Sequence, residues 1–214
     1  MVCNYPISIF DHYYNGPDAI REYALSLEYT KSPGFFPGYR TECLSTINKE
    51  FWELSYQKLL PDNINPNEYI IRSQFQKIYR FSNDPEDPVN TGWIHKDTDA
   101  DLAAVLYLDP NPIPDNGTSF YVKSRPLPPS KAISKYNLPE CLNNYDVDDK
   151  FRELVVDNNS QFDLTAEVKN SYNTLICYDG SQFHAASNYY MKNEEDFRLT
   201  QVFFFFKNKC KCCG

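Results

Sequence analysis

The feature that most constrains this chain is a change of hydrophobic period near residue 69. Beyond it come short runs rich in β-branched and aromatic residues: "EYIIRSQFQKIYRF", "DLAAVLYLD", "TSFYV", "NTLICYD" and "RLTQVFFFF". Each is bounded by turn-forming residues, and no helical pattern separates them. A parallel sheet needs crossover helices, so these runs point to an antiparallel barrel or sandwich of roughly eight strands. Ahead of residue 69 the spacing is helical. After a short strand near "YPISIF", Ile20, Ala24 and Leu27 recur at helical intervals behind Pro17, a residue suited to a first helical turn. "NKEFWELSYQKLL" repeats the pattern until Pro61 stops it, and "SPGFFPGYRT" between the two reads as a turn-rich connector. The expected class is mainly β with N-terminal helices (α+β).

One domain accommodates all of this. Residues 1–68 are expected to form a helical layer and 69–206 the β core, interrupted by a polar, proline-containing insertion at 123–170. Residues 207–214 form a cysteine-rich tail. With 42% hydrophobic and 16% aromatic residues, the chain can fill a core, and 23% charged residues argues against disorder. A net charge of −8, with no long Lys/Arg run, excludes a nucleic-acid backbone as partner. No apolar window is long enough to span a membrane, and the start lacks a basic segment followed by an apolar one. Seven cysteines without a secretory leader are expected to be reduced thiols, which predicts a cytoplasmic protein. In the terminal "KCKCCG", Lys211 occupies the position where a prenylation box needs cysteine, so the tail reads as solvated thiols.

The chain has three histidines, so any metal chemistry has few ligands to choose from. In "GWIHKDTDADLAAVLYLDP", His95 and Asp97 are two apart, and a period of two points both to one face, with Lys96 as outward spacer. His184 follows the Asp179-Gly180 turn in "NTLICYDGSQFHAASNYY". Two imidazoles and a carboxylate on one face of a metal leave adjacent positions open, the arrangement suited to Fe(II) oxygen chemistry. Taken separately, the tripeptide is a weak motif, and a histidine on an apolar strand is ordinarily satisfied by a backbone carbonyl. Arg198 opens the last strand, and alternation puts Arg198, Thr200, Val202 and Phe204 on one face, with Leu199, Gln201, Phe203 and Phe205 on the other. A guanidinium directed inward requires an anion, and a bidentate carboxylate suits it. Periodicity leaves open which face is inward.

Together, "HKD" at 95–97, "FH" at 183–184 and "RLT" at 198–200 resemble the 2-oxoglutarate- and Fe(II)-dependent dioxygenase superfamily. "VLYLDPNPIPDNGTSF" is similar to a strand and turn of its prolyl-hydroxylase-like branch. "GPDAIREYALSL" and "FPGYRT" also look like a group of small proteins of this superfamily. Asn116-Gly117 stands where the branch has a Gly pair, and Arg198 lies somewhat further beyond the distal histidine than is common.

The resemblance implies a double-stranded β-helix, that is a jelly-roll or cupin-like barrel. It implies Fe(II) held by His95, Asp97 and His184, and 2-oxoglutarate whose far carboxylate meets Arg198 and Thr200. Tyr79 and Thr118 are expected in the same cosubstrate pocket. O2 and a small-molecule or peptide substrate complete the reaction, expected to be a hydroxylation with succinate and CO2 as coproducts. Trp93 reads as a wall beside the substrate or a core anchor, with the wall favoured, and His12 as structural or surface. The other readings are a barrel that serves only as a binding module, and a zinc hydrolase, which leaves Arg198 without a role.

Overall fold

A computed structural model describes residues 6–31, 36–60, 65–97, 99–125, 149–193 and 195–208. The elements in chain order are β1 (Ile7–Phe10), α1 (Pro17–Ser26), β2 (Thr30–Lys31), β3 (Gly38–Arg40), α2 (Leu44–Ile47), α3 (Lys49–Tyr56) and β4 (Tyr69–Ile78). They continue with β5 (Leu102–Tyr107), β6 (Thr118–Lys123), α4 (Asp149–Asn159), β7 (Phe162–Val168), β8 (Leu175–Asp179), β9 (Phe183–Ala186) and β10 (Arg198–Lys207). The strands form two antiparallel sheets: a large one ordered β1-β8-β5-β10-β4-β3-β2 and a small one ordered β7-β6-β9.

Period-2 alternation gives the large sheet two apolar faces. Phe75, Leu106, Leu175, Leu199, Phe203 and Phe205 lie on the outer face, packed on Ala24 of α1, Leu44 of α2 and Tyr56 of α3. Ala103, Tyr107, Ile176 and Tyr178 lie on the inner face against Phe120 of β6, with Ala166 and Val168 of β7 beside them. Phe203 and Phe205 are fully enclosed, and burying each contributes about 1.5–3 kcal/mol. That burial pins the register of β10. Leu199, Gln201, Phe203 and Phe205 therefore face the helices, and Arg198 and Thr200 face the space between the sheets. The N-terminal helices are local products of their sequence: Pro17 opens α1, and the Asn48 side chain caps α3 by accepting from the Phe51 amide.

Two expectations are corrected. The "SPGFFPGYRT" connector is not only turn, because Gly38–Arg40 pairs with β4 as strand β3. The N-terminal part thus supplies β1, β2 and β3 to the large sheet besides its helices. The stretch 123–170 is not all insertion either. Its described end contains α4 and then β7, a pairing partner of β6 in the small sheet. The alternation of "FDLTAEV" was hard to read because a bulge at Phe120/Tyr121 shifts the register, leaving Leu164 57% exposed while Ala166 and Val168 pack inward. The cysteine-rich tail from residue 209 lies outside the described residues, as do Cys3 and Cys141; Cys43 and Cys177 are free thiols. Among the described residues no helix is long and apolar enough to cross a membrane.

Candidate metal site and the adjoining polar residues

The segment carrying His95 and Asp97 lies along β9, which carries His184. His95 and His184 exchange both backbone hydrogen bonds, at 3.0 and 2.9 Å, and the Asp97 amide donates to the Gly180 carbonyl at 2.8 Å. Gly180 is required by close approach, since a Cβ there would collide with the Ala100 carbonyl. Asp179 closes the same turn by accepting from the Ser181 amide at 2.7 Å. The pairing with β9 and the tight turn at Gly180 therefore bring His184 onto His95 and Asp97.

One ligand atom from each of His95, Asp97 and His184 lies within 4.8 Å of the others. His95 Nε2 is 3.7 Å from Asp97 Oδ1, and His184 Nε2 is 3.3 Å from Asp97 Oδ2. Each Nδ1 is spoken for: His95 Nδ1 is 2.7 Å from the Trp93 carbonyl and His184 Nδ1 2.9 Å from the Gln182 carbonyl. A carbonyl only accepts, so each Nδ1 is a donor and each Nε2 is the ring nitrogen turned toward Asp97 and available to a metal. This outer hydrogen bonding is what an imidazole ligand requires. Lys96 is directed away, its ammonium 4.3 Å from the centre of the Phe183 ring. His12 is exposed in a turn, at φ 52°, away from this cluster.

A group of buried polar side chains lies on the inner face of the large sheet. Arg198 is 5% exposed and donates through Nη1 to the carbonyls of Asn116 and Gly117. Its buried Nε has no hydrogen-bond partner, and among the described residues no carboxylate forms an ion pair with it. Gly117 can sit there only as glycine, because a Cβ would run into the Val168 carbonyl. The Asn116 side chain is held by the Tyr190 carbonyl at 2.8 Å, so the turn that meets Arg198 is itself fixed.

Thr200 lies two residues along from Arg198, fully buried. Its Oγ1 is 3.3 Å from the Gln76 amide. That amide is satisfied when its oxygen faces Arg40, accepting from Nε at 2.6 Å and Nη2 at 2.8 Å. Its NH2 then donates to Thr200, which leaves the Thr200 proton free to donate elsewhere. Thr118 is buried and shares a 2.7 Å hydrogen bond with the Tyr107 hydroxyl. Burial pushes the Tyr107 phenol up to about 12, against the opposing pull of Thr118 and the Arg198 charge. Tyr107 is therefore a neutral donor beside Arg198.

The structure thus brings together His95, Asp97 and His184 in one cluster, and Arg198, Thr200 and Thr118 beside one another between the sheets. Tyr79 is not brought there. It sits past the end of β4 on the outer side, packed on Tyr39 and Phe197, and lines an open cleft of about 530 Å³ with Tyr29 and Lys77. Strand parity explains the correction, for Tyr79 continues the outward row of Phe75 and Lys77. The tyrosine beside Arg198 is Tyr107, whose signal was the same alternation that buries Ala103 on its strand. Arg40 and Gln76 were also missed, since the connector reading hid β3. Trp93 is a core anchor, 6% exposed among Val89, Phe151 and Val155.

The fold and this site define a class. The chain shares its architecture with iron- and 2-oxoglutarate-dependent oxygenases, at identities where the likeness is one of fold. HygX from Streptomyces hygroscopicus, solved with nickel, 2-oxoglutarate and hygromycin B bound, matches at 14% identity and a TM-score of 0.56 over 94% of this chain and 83% of that one. EvdO2 from Micromonospora carbonacea var. aurantiaca, complexed with 2-oxoglutarate, gives 11% and 0.58 over 97% and 89%. The non-heme α-ketoglutarate-dependent epimerase SnoN from nogalamycin biosynthesis gives 11% and 0.52 over 94% and 78%. No curated protein matches the chain in sequence. The chain belongs to DUF6445, a family of unknown function whose model matches residues 2–205.

Proposed function

We propose that this chain is an Fe(II)- and 2-oxoglutarate-dependent oxygenase built on a double-stranded β-helix. The small polar molecule or amino-acid residue it oxidises, most simply by hydroxylation, would approach from the His95 side, the more open edge of the triad. The observation that carries the reading is Arg198: a buried guanidinium that faces the space between the sheets, where the His184 ring meets Tyr178, with an unpartnered Nε and, among the described residues, no carboxylate in ion-pair contact. Such a group is a socket for an anion.

The residues present fit the implied groups. Three ligand atoms with two tautomers fixed by backbone carbonyls suit Fe(II), and the ligand set leaves further coordination positions for a bidentate 2-oxo acid. Iron and 2-oxoglutarate together supply the oxidising chemistry, with succinate and CO2 as coproducts. The protein's own part is positioning. Arg198 binds the far carboxylate, Thr200 donates its free hydroxyl proton to it, and Tyr107 offers a phenol that stays protonated at neutral pH. Thr118 orients that phenol. Tyr178, whose ring is 4.6 Å from that of His184, walls the ligand side, and burial with the Asp97 charge keeps its phenol protonated.

A small-molecule substrate is supported by the hygromycin B found with HygX, and a reaction other than hydroxylation by the epimerase among the structural neighbours. The decisive experiment is anaerobic titration of the protein with Fe(II) and 2-oxoglutarate, followed by admission of O2. A visible charge-transfer absorption, then succinate formation, is the expected result. Turnover of an ester or amide with Zn(II) and no absorption would instead establish the hydrolase reading.

A further inference from the structure

The segment that presents His95 is the outermost member of the small-sheet side, so among the described residues one of its edges has no neighbouring strand. Its inward edge is closed by β9: the Gly92 amide donates to the Ala186 carbonyl at 3.1 Å, and His95 pairs with His184. Its outward edge is closed by side chains of α4. Asn159 accepts from the Ile94 amide through Oδ1 at 3.1 Å and donates through Nδ2 to the Gly92 carbonyl at 3.1 Å. Asn158 donates to the Ile94 carbonyl at 3.0 Å and also to Asn159 Oδ1 at 2.9 Å. Two amides thus stand in for the missing strand. The residues they hold, Gly92 and Ile94, flank Trp93, whose carbonyl fixes the His95 ring. Trp93 is further held by packing on Phe151 and Val155 of the same helix.

We propose that Asn159, aided by Asn158, is a positioning residue for the metal: α4 acts as a clamp that holds the Trp93 carbonyl where it sets the tautomer and direction of His95. This rests on the reading of His95, Asp97 and His184 as a metal site. It also gives the described end of the 123–170 stretch a role, since the helix that completes the ligand strand comes from that stretch and not from the β core. An orphaned amide edge would let the Gly92–His95 backbone fluctuate, and the Trp93 carbonyl with it. Loss of a group that orients a histidine ligand typically weakens metal binding by about 10- to 100-fold.

The test uses the full chain and Co(II), a spectroscopically visible probe for such a site. Asn159→Ala is expected to speed hydrogen exchange of the Ile94 amide in the metal-free protein by about tenfold or more, for loss of one hydrogen bond. It is expected to weaken Co(II) binding by about 10- to 100-fold and alter the Co(II) absorption spectrum. Asn158→Ala, which leaves the two bonds of Asn159 in place, should shift both readouts in the same direction by less, and serves if the first variant does not fold. Asn48→Ala removes the cap of α3 far from the site. It should lower the melting temperature with the Co(II) affinity and spectrum unchanged. Wild-type Co(II) affinity and spectrum in both Asn158 and Asn159 variants, with faster Ile94 exchange, would overturn the clamp and leave the metal reading standing. Failure of the unaltered protein to take up Co(II) would overturn the metal reading and the inference together.

Discussion

Replacing Arg198 with methionine tests the proposed cosubstrate site most directly. The side chain is 5% exposed, Nη1 is engaged by the Asn116 and Gly117 carbonyls, and the buried Nε faces no partner. A carboxylate binding there gains two charge-assisted hydrogen bonds in a dry setting, each worth roughly 1.5–3 kcal/mol net. Taking the lower half of that range for both gives about 3–4 kcal/mol, so Kd for 2-oxoglutarate should rise by roughly 100- to 1,000-fold. A 2-oxo acid without the far carboxylate, such as 2-oxobutanoate, never reaches Arg198, and its affinity should change by less than about threefold. The structural side effect is bounded. Two carbonyls lose a donor, at about 1–3 kcal/mol each, and the buried Asp109 carboxylate loses the nearby positive charge, while the cost of burying a guanidinium is removed. Anaerobic titration of the Fe(II) protein with both acids, read by visible absorption, gives the two constants side by side, and a melting curve checks the fold. Equal weakening for both acids would mean that the substitution acts through the metal end or the fold, and unchanged binding of both would mean that Arg198 holds no carboxylate. Either result refutes the reasoning.

Tyr107→Phe should weaken 2-oxoglutarate about five- to tenfold through loss of one donor, and a Tyr107→Phe/Thr118→Val double variant should lose less than the sum of the two, because each alone orphans the other's hydroxyl; additivity in the same titration would show that the pair is uncoupled. Gly180→Ala should abolish Co(II) uptake along with a drop in melting temperature, since its methyl would collide with the Ala100 carbonyl in the turn that holds Asp97; wild-type uptake would show that the turn does not set the site. Stability should fall with rising pH above about 10, at up to roughly 1.4 kcal/mol per pH unit for each phenol that stays protonated in the fold. Burial raises Tyr13, Tyr14, Tyr107 and Tyr178, so the unfolded chain loses protons there first and the unfolded state is favoured. Tyrosinate absorbance that titrates near pH 10 without loss of fold would contradict this.

Where the sequence was legible, a short-range pattern coincided with a buried face. His95 and Asp97 share a face because a period of two requires it, and Arg198 with Thr200 could be narrowed to one of two faces for the same reason. What decided between those faces is not local. Phe203 and Phe205 fill the layer under α1 and α3, and only their burial sends Arg198 inward. Tyr79 was misplaced by the converse error. Its position relative to the histidines looked apt, but β4 enters with Phe75 outward, so Tyr79 follows it to the outer cleft. The tyrosine beside Arg198 is instead Tyr107 of β5, two strands over, held by a hydrogen bond across the gap to Thr118 that no spacing in one strand could announce. The same logic hid Asn158 and Asn159. At the end of a polar helix they read as solvated, and their meaning comes from an unpaired edge some 65 residues away in sequence (|159 − 94| = 65). Ligands of the candidate site are thus written in strand periodicity, whereas the groups that orient those ligands are written in contacts between elements. It follows that a relative retaining "HKD", the distal histidine and the arginine but lacking an amide pair at the end of α4 should fold alike and hold its metal less tightly.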